Sequence, residues 1–287
     1  MGPDRPVCPL FRSILRLHYI QLLMYIHSQA MSEYFHSLKQ PDGSFLVAHH
    51  AEVDVRGVYC LIAVATLLDI LTPSLISGTA AFIASCQTYE GGFASASQPY
   101  FSPEGKLLRS PRPALGEAHG GYTNCAVAAW VLLKPFLDAD RRSDDNDKKP
   151  EIDLRRLKRW LTSIQGGASE LGGFKGRTNK LVDGCYSWWC GGTFVMIEAL
   201  KAHTRDVGSA SNDDTNEGGW DDVDGESTGF RYRRHSLMLN RDVEDTLFDR
   251  KALQEYILYA GQHRAGGLRD KPPKWGIFLH IHLNLGD

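Results

Sequence analysis

Long apolar runs are missing from this sequence. A bilayer-crossing helix needs about 20 consecutive apolar residues, yet between Arg56 and Asp69 lie only Gly57 to Leu68. An integral membrane protein is therefore not expected. A clean secretory leader is missing too. Arginines interrupt the opening MGPDRPVCPLFRSILRLHYIQLL, and no small-residue cleavage site follows. Gly2 is followed by Asp4, Arg5 and Pro6, a poor myristoylation signal. Net charge is nearly absent at -2. That argues against a general nucleic-acid binder, and any anionic ligand must be held by a local cationic cluster. There is no CxxC pair. The six cysteines (Cys8, Cys60, Cys86, Cys125, Cys185, Cys190) are scattered, mostly within apolar runs. They do not form the disulfide framework of a small secreted domain, and they fit reduced thiols in the cytoplasm.

What is present is a soluble, helical pattern. With 287 residues, 43% hydrophobic and 23% charged, the chain can bury one large core. Apolar residues recur with helical period over roughly 11–39, 54–71, 74–88, 121–137, 152–165, 186–203 and 246–262. Thr72-Pro73 reads as a helix start, with Thr as N-cap and Pro first in the helix. The helices are of two kinds. Tyr122–Leu133 and most of Val58–Leu68 carry no charge on any face and are expected to be buried all round. Asp153–Gln165 instead gathers Leu154, Leu157, Trp160, Leu161 and Ile164 on one stripe, as a surface helix does. Buried helices alternating with amphipathic ones predict two concentric helical layers.

A repeated turn supports that architecture. KQPDGSF (Lys39–Phe45), CQTYEGGF (Cys86–Phe93), QGGASELGGF (Gln165–Phe174) and GQHRAGGL (Gly261–Leu268) each pass from Gln through a Gly-rich turn to an apolar residue. Gln40 and Gln87 are 47 apart (87 − 40). The later intervals are longer and hold polar insertions near 94–116, 138–151 and 204–245. A unit of that length, interrupted by loops, predicts an array of helical hairpins.

One stretch gathers chemistry. GRTNKLVDGCYSWW (Gly176–Trp189) holds Arg177, Lys180, Asp183, Cys185, Tyr186 and two tryptophans. Carboxylate and thiolate are both good zinc ligands, so Asp183 and Cys185 suggest a site completed by a distant residue such as His. On spacing alone they also read as a capping Asp and a buried Cys at a helix start. Arg177 and Lys180 can hold phosphate oxygens, and the Tyr186 phenol can donate to an oxyanion. His119, in EAHGGYTNC (Glu117–Cys125), could join them or be a loop histidine before a buried helix. Together they describe an anion pocket beside a metal, with an isoprenoid diphosphate as one candidate ligand.

These motifs carry a resemblance. From about Tyr34 to Lys274, the motifs SLKQPDGSF, EVDVRGVYC, CQTYEGGF, EAHGGYTNC, GGFKGRTNKLVDGCYSWW and LQEYILYAGQHRAGGLRDKPPK appear in one order. In that order they resemble the β subunits of protein prenyltransferases, those of the farnesyltransferases above all. The resemblance implies an all-α fold, an (α/α) toroid of helical hairpins over 34–274. It also implies transfer of a farnesyl group from farnesyl diphosphate to the cysteine of C-terminal Ca1a2X motifs, in a heterodimer with a helical-repeat farnesyltransferase α subunit. Zinc is implied at Asp183, Cys185 and a distant His, with magnesium at Asp270 assisting diphosphate departure. His119, Gly120, Gly121, Tyr122, Arg177, Lys180, Tyr186 and Trp189 match residues around the farnesyl diphosphate. Of these, His119, Lys180 and Tyr186 carry catalytic roles. Cys125 would line the lipid tube with Gly121 and Trp189, Lys274 would lie near the leaving group, and Arg56 would hold the peptide carboxylate.

The sequence also departs from the family. Its third zinc ligand stands in a D-x-Y-H-T-x-Y-C-L-S-G segment, where this chain reads WGIFLHIHLNLGD (Trp275–Asp287). His280, ten residues after Asp270, is the expected ligand, with His282 a near neighbour. Residues 1–33 do not resemble the family's opening hairpin, and 275–287 diverge. The expectation is an incomplete ring, as intron-derived sequence at the ends would produce. Two other readings accompany the first: a type I geranylgeranyltransferase β subunit, and a non-catalytic fragment binding only a partner or lipid diphosphate. A related cyclase is disfavoured, because a D-x-D-D acid motif is missing.

Overall fold

The computed structural model describes residues 27–98, 100–101, 107–108, 113–140, 149–209, 247–264 and 266–272. Its helices are α1 (27–38), α2 (Val55–Leu67), α3 (Pro73–Ile76), α4 (Thr79–Ser85), α5 (Gly120–Asp140), α6 (Leu154–Ser163), α7 (Tyr186–Ser209) and α8 (Arg250–Tyr256). The last runs directly into a π-helical turn, Ile257–Gly261. Among the described residues no helix is long and apolar enough to cross a membrane. The 94–116 loop carries two short antiparallel pairs, Ala96–Ser97 with Ala114–Leu115 and Tyr100–Phe101 with Leu107–Leu108.

Side-chain caps set where the helices begin. Asp54 caps α2 and Thr72 caps α3, with Pro73 at its start. Asp153 caps α6 and Asp249 caps α8. Each oxygen satisfies a backbone N–H that the first helical turn leaves without a partner. The Asp249 cap also explains why α8 starts later than the periodicity of 246–262 predicts. The segment predicted as one helix over 74–88 divides into α3 and α4 at Gly78, whose φ is +77°. Its backbone lies against the PDGSF turn, where Thr79 Oγ1 donates to the Gly43 carbonyl at 2.9 Å.

Two layers result. Helix α5 packs between α2 and α7, and α6 packs against α7 from outside. Helix α6 buries Leu157, Trp160 and Leu161 and exposes Arg155, Arg156 and Arg159. Helix α5 is buried along most of Gly120–Leu133, as its lack of charge predicts. Helix α2 is not: Cys60, Val64 and Leu67 are exposed, Leu67 at 84%. Lack of charge reported one buried face and one apolar open face, which hydropathy cannot tell apart.

The four Gly-rich turns share one geometry. Each closes with an antiparallel bridge: Lys39 with Phe45, Gln87 with Phe93, Gln165 with Phe174, Gln262 with Leu268. Phe45, Phe93 and Phe174 are fully buried, each worth about 1.5–3 kcal/mol of transfer free energy. Gln87 and Gln165 then join one unit to the next. Gln87 Oε1 accepts from the Asp153 N–H (2.8 Å), and its Nε2 donates to the Asp153 carbonyl (3.0 Å). Gln165 makes the same reciprocal pair with Asp249 at 2.9 and 2.8 Å. Both partners are N-caps of outer helices. Gly91 and Gly172 let those helices come close: a Cβ would lie 2.2 Å from the Arg156 carbonyl oxygen or 2.3 Å from Ala252 Cβ. From Asp153 to Gln165 is 12 residues and from Asp249 to Gln262 is 13. The π-helical turn absorbs the extra residue.

Gln165→Ala removes a reciprocal amide pair and is expected to lower unfolding free energy by about 1–3 kcal/mol. Gln262→Ala, at an exposed glutamine, is expected to change it by less than about 0.5 kcal/mol. Urea unfolding of both variants beside the parent checks the contrast.

Candidate active site

The stretch Lys175–Asp183 is a hairpin before it is anything else. Lys175 bridges Val182, Asn179 turns the chain at φ +62°, and the Asp183 N–H donates to the Phe174 carbonyl (3.0 Å). The same hairpin occurs 129 residues earlier. There Leu46 bridges Val53, His50 turns at φ +62°, and Asp54 follows. Asp54 Oδ1 accepts from the Arg56 N–H (2.8 Å), and Asp183 Oδ1 accepts from the Cys185 N–H (3.2 Å). Asp183 thus does what a capping Asp does. What differs is the residue two places on: a thiol where the earlier copy has a guanidinium.

The hairpin presents Arg177 and Lys180 to a cleft of about 290 Å³, lined also by Gly176, Leu181, Asp183, Tyr186 and Lys271. Three cations face one carboxylate there, which favours an anionic ligand. Lys271 Nζ stands 3.1 Å from Asp183 Oδ2, and Arg177 Nη1 stands 2.6 Å from Glu117 Oε1. The pair with Arg177 holds the exposed Glu117 carboxyl below its ordinary range. Glu90 braces the same region, accepting from Thr178 Oγ1 (2.9 Å) and from the Ala118 N–H (3.3 Å).

Tyr186 sits in a slot made by two glycines. A Cβ on Gly176 would lie 1.9 Å from the Tyr186 Cζ, and one on Gly120 would lie 2.9 Å from its Cδ1. The Gly120 N–H donates to the Gly176 carbonyl (2.8 Å), tying the slot together. Burial, helped by Cys185 and Asp183, pushes the phenol up to about 12, so it remains a neutral donor. His119 fixes which way that donor faces. Its Nδ1 accepts from the Gly121 N–H (3.1 Å), so the proton of the neutral ring is on Nε2. Nε2 lies 3.0 Å from Tyr186 Oη and donates to it, leaving the phenol hydrogen free for a ligand. Burial, then Arg177 and Arg56, hold His119 below its ordinary value of 6.5.

The remaining predicted residues lie around this centre. Tyr122 packs on His119 with ring centroids 4.6 Å apart, and the Arg56 guanidinium lies 5.0 Å from the Tyr122 ring. Arg56 is also held by Asp54 through Nε (2.9 Å) and Nη2 (2.7 Å). Cys125 is buried in α5, where burial pushes its thiol up to about 12. Trp189 is partly buried in α7, and its carbonyl accepts from Asn124 Nδ2 (3.0 Å). Asp270 reaches the site through its backbone: its carbonyl accepts from the Gly184 N–H (2.7 Å) and from Tyr256 Oη (2.9 Å). Lys274 and His280 lie outside the described residues. Among the described residues no three His, Cys, Asp or Glu side chains converge as a metal group would require. Asp183 with Cys185 supplies a carboxylate and a sulfur, two donors that suit zinc. Burial and the adjacent Asp183 raise the Cys185 thiol well above its ordinary value, a penalty a divalent cation would reverse. Sequence reasoning missed Glu117, Glu90 and Lys271. The first stands two residues before His119 and the last directly after Asp270, but pairing across 60 and 88 positions leaves no local pattern.

Residues 7–286 match the model of the prenyltransferase alpha-alpha toroid domain. The chain belongs to that family. Its prenyltransferase relatives include the protein farnesyltransferase subunit beta of Pisum sativum, 35% identical over 270 residues, covering 87% of this chain and 57% of that one. The corresponding subunit of Schizosaccharomyces pombe is 35% identical over 277 residues, 95% of this chain and 55% of the relative. The geranylgeranyl transferase type-1 subunit beta of Arabidopsis thaliana is also 35% identical, but over 56% of this chain and 37% of its own length. This prenyltransferase toroid chain spans about half the length of the curated farnesyltransferase relatives it matches.

Nitrogen NMR of labelled histidine should find His119 neutral at pH 7 with its proton on Nε2. Its lowered value means the folded chain binds fewer protons than the unfolded chain just below pH 6.5. Stability should therefore fall as pH drops through that region. His119→Gln should flatten that part of the slope, read from urea midpoints at pH 8 and below 6.

Proposed function

We propose that this chain is the catalytic β-type component of a protein farnesyltransferase. It acts in the cytoplasm, paired with an α subunit, on C-terminal Ca1a2X cysteines. The observation that supports this most is the cleft, where Arg177, Lys180 and Tyr186 face one space with Asp183, and His119 bonds the Tyr186 phenol at its edge. Farnesyl rather than geranylgeranyl transfer is favoured because the farnesyltransferase relatives match 87% and 95% of the chain, against 56% for the type-1 geranylgeranyl relative.

In this reading the substrate sulfur forms a bond to C1 of the farnesyl chain as the bond from C1 to the diphosphate oxygen breaks. Diphosphate departs carrying the electron pair. Arg177 and Lys180 meet the charge as it grows, and Tyr186 donates its free hydrogen to a leaving oxygen. His119 keeps that phenol aimed. Gly120 and Gly176 keep it in place, so its donor geometry exists before the ligand arrives. Zinc held by Asp183, Cys185 and His280 would supply a lowered thiol pKa on the peptide substrate. Magnesium beside Asp270 would screen the leaving charge. Gly121, Tyr122, Cys125 and Trp189 would border the apolar chain, Arg56 the peptide carboxylate, and Lys274 the leaving group.

The test uses the chain co-expressed with a cognate α subunit. Wild type is expected to hold about one zinc per heterodimer, with Cys185→Ala losing it. Stoichiometric zinc surviving that change would sink the metal assignment. Tyr186→Phe is expected to lower kcat on the order of 10²-fold, with KM for farnesyl diphosphate changed less. Equal turnover with geranylgeranyl diphosphate would overturn the lipid assignment.

A further inference from the structure

Glu90 stands in a turn that does not need it. Three of the Gly-rich turns place a positive-φ glycine alike: Gly43 at +86°, Gly91 at +116° and Gly172 at +68°. Each lies two residues before a fully buried phenylalanine, Phe45, Phe93 or Phe174. The residues just before those glycines are Asp42, Glu90 and Leu171. Asp42 turns its carboxylate on its own turn, where Oδ1 accepts from the Ser44 N–H (3.0 Å) and from Ser44 Oγ. Leu171 has no side-chain acceptor, yet its turn closes with the same bridge. The turn itself therefore requires no carboxylate at this position.

Glu90 spends both oxygens outside its turn. Oε1 accepts from Thr178 Oγ1 (2.9 Å), and Oε2 accepts from the Ala118 N–H (3.3 Å). Thr178 follows Arg177 near the tip of the Lys175–Asp183 hairpin, and Ala118 precedes His119. Ala118 is fully buried, and a Cβ on Gly92 would lie 2.9 Å from its Cβ. The His119 N–H donates to the Phe93 carbonyl (3.0 Å). Ala118 and His119 are thus fixed to this one turn, which Gln87 and Gly91 already hold against the start of α6. Glu90 carries that fixed frame across to the hairpin.

Two carboxylates meet the hairpin there, and they differ in kind. Glu117 pairs with the Arg177 guanidinium itself at 2.6 Å, so an anionic ligand competes with it for that charge. Glu90 holds an uncharged hydroxyl one residue along and takes nothing from the guanidinium.

We propose that Glu90 is a positioning residue for the anion site. By tying Thr178 to the backbone before His119, it keeps Arg177 in one place beside Tyr186. The inference rests on the farnesyl diphosphate reading of the cleft. Two effects of the carboxylate have opposite signs. Its negative charge near Arg177 and Lys180 opposes an anion. Its hydrogen bonds favour one, because Arg177 is then ordered before the ligand arrives. The charge acts through solvent at the mouth of the cleft and is screened, so the bonds prevail.

The test uses the chain co-expressed with a cognate α subunit, with Kd for farnesyl diphosphate read by isothermal titration. Glu90→Ala is expected to raise Kd about tenfold and Thr178→Val about threefold. Valine keeps the shape of threonine and leaves the Ala118 bond in place, so this second variant reads the tie alone. Thr178→Ser, which keeps the hydroxyl, should stay within about twofold of wild type. On an Arg177→Ala background, Glu90→Ala and Thr178→Val should each cost less than about twofold, because the group they aim is gone. A role in folding alone would cost the same on either background. Weakening that persists undiminished without Arg177 overturns the proposal. Tighter binding by Glu90→Ala, the sign of a bare charge, overturns it too. Arg177→Ala that leaves Kd unchanged overturns the diphosphate reading, and this inference with it.

Discussion

The double hydrogen bond between a glutamine amide and the backbone N–H and C=O of an aspartate is the interaction on which the two layers depend. A primary amide offers a donor and an acceptor side by side, and so do the N–H and C=O of one residue in extended backbone, as Asp153 and Asp249 are. Gln87 and Gln165 use both. The aspartate is already committed to capping its helix, so one pair fixes the turn and the start of the next outer helix together. Only a turn with no side chain lets the helix approach that near, which is why Gly91 and Gly172 stand where they do. The inner helices are then set by what leaves the turn on its other side. The hairpin from Phe174 ends at Asp183, and α7 begins three residues later.

The candidate site inherits its rigidity from that frame. Its cations sit on the hairpin, while Tyr186 and His119 start the inner helices α7 and α5. The link between those helix starts is short: one backbone hydrogen bond from Gly120 to Gly176, one ring-to-phenol bond, and a phenol held between two glycines. Electrostatics then favour a ligand of one sign. Burial keeps His119 neutral and Tyr186 protonated, so donors rather than charges occupy the inner wall. The fixed positive charge stays at the mouth on Arg177, Lys180 and Lys271.

Much of this was legible in the sequence. Helical period located the inner and outer helices, and the Gln-to-Gly-to-apolar wording located the turns. Arg177, Lys180, Asp183, Cys185 and Tyr186 were read as one centre because they are close in sequence. The break at Gly78 was not legible, because it answers to Gly43, a contact 35 residues away (78 − 43). The open face of α2 was not legible either, since hydropathy records what a side chain is and not what covers it. Glu117 and Lys271 escaped notice because acidic and basic residues are common, and only the fold decides which of them meet. The His119 tautomer could come only from coordinates, being set by one backbone N–H.

The two matching hairpins, 129 residues apart, show one backbone part carrying two different side-chain sets. In the first copy the aspartate steadies an arginine; in the second it stands beside a thiol. The backbone is common to both, so the carboxylate and thiol come together without a loop of their own. A repeat protein holds spare copies of every turn it uses. Side-chain exchange in one copy can explore reactivity while the others carry the load of folding. The thiol's neighbourhood is, in that sense, a structural part with room for a second occupation.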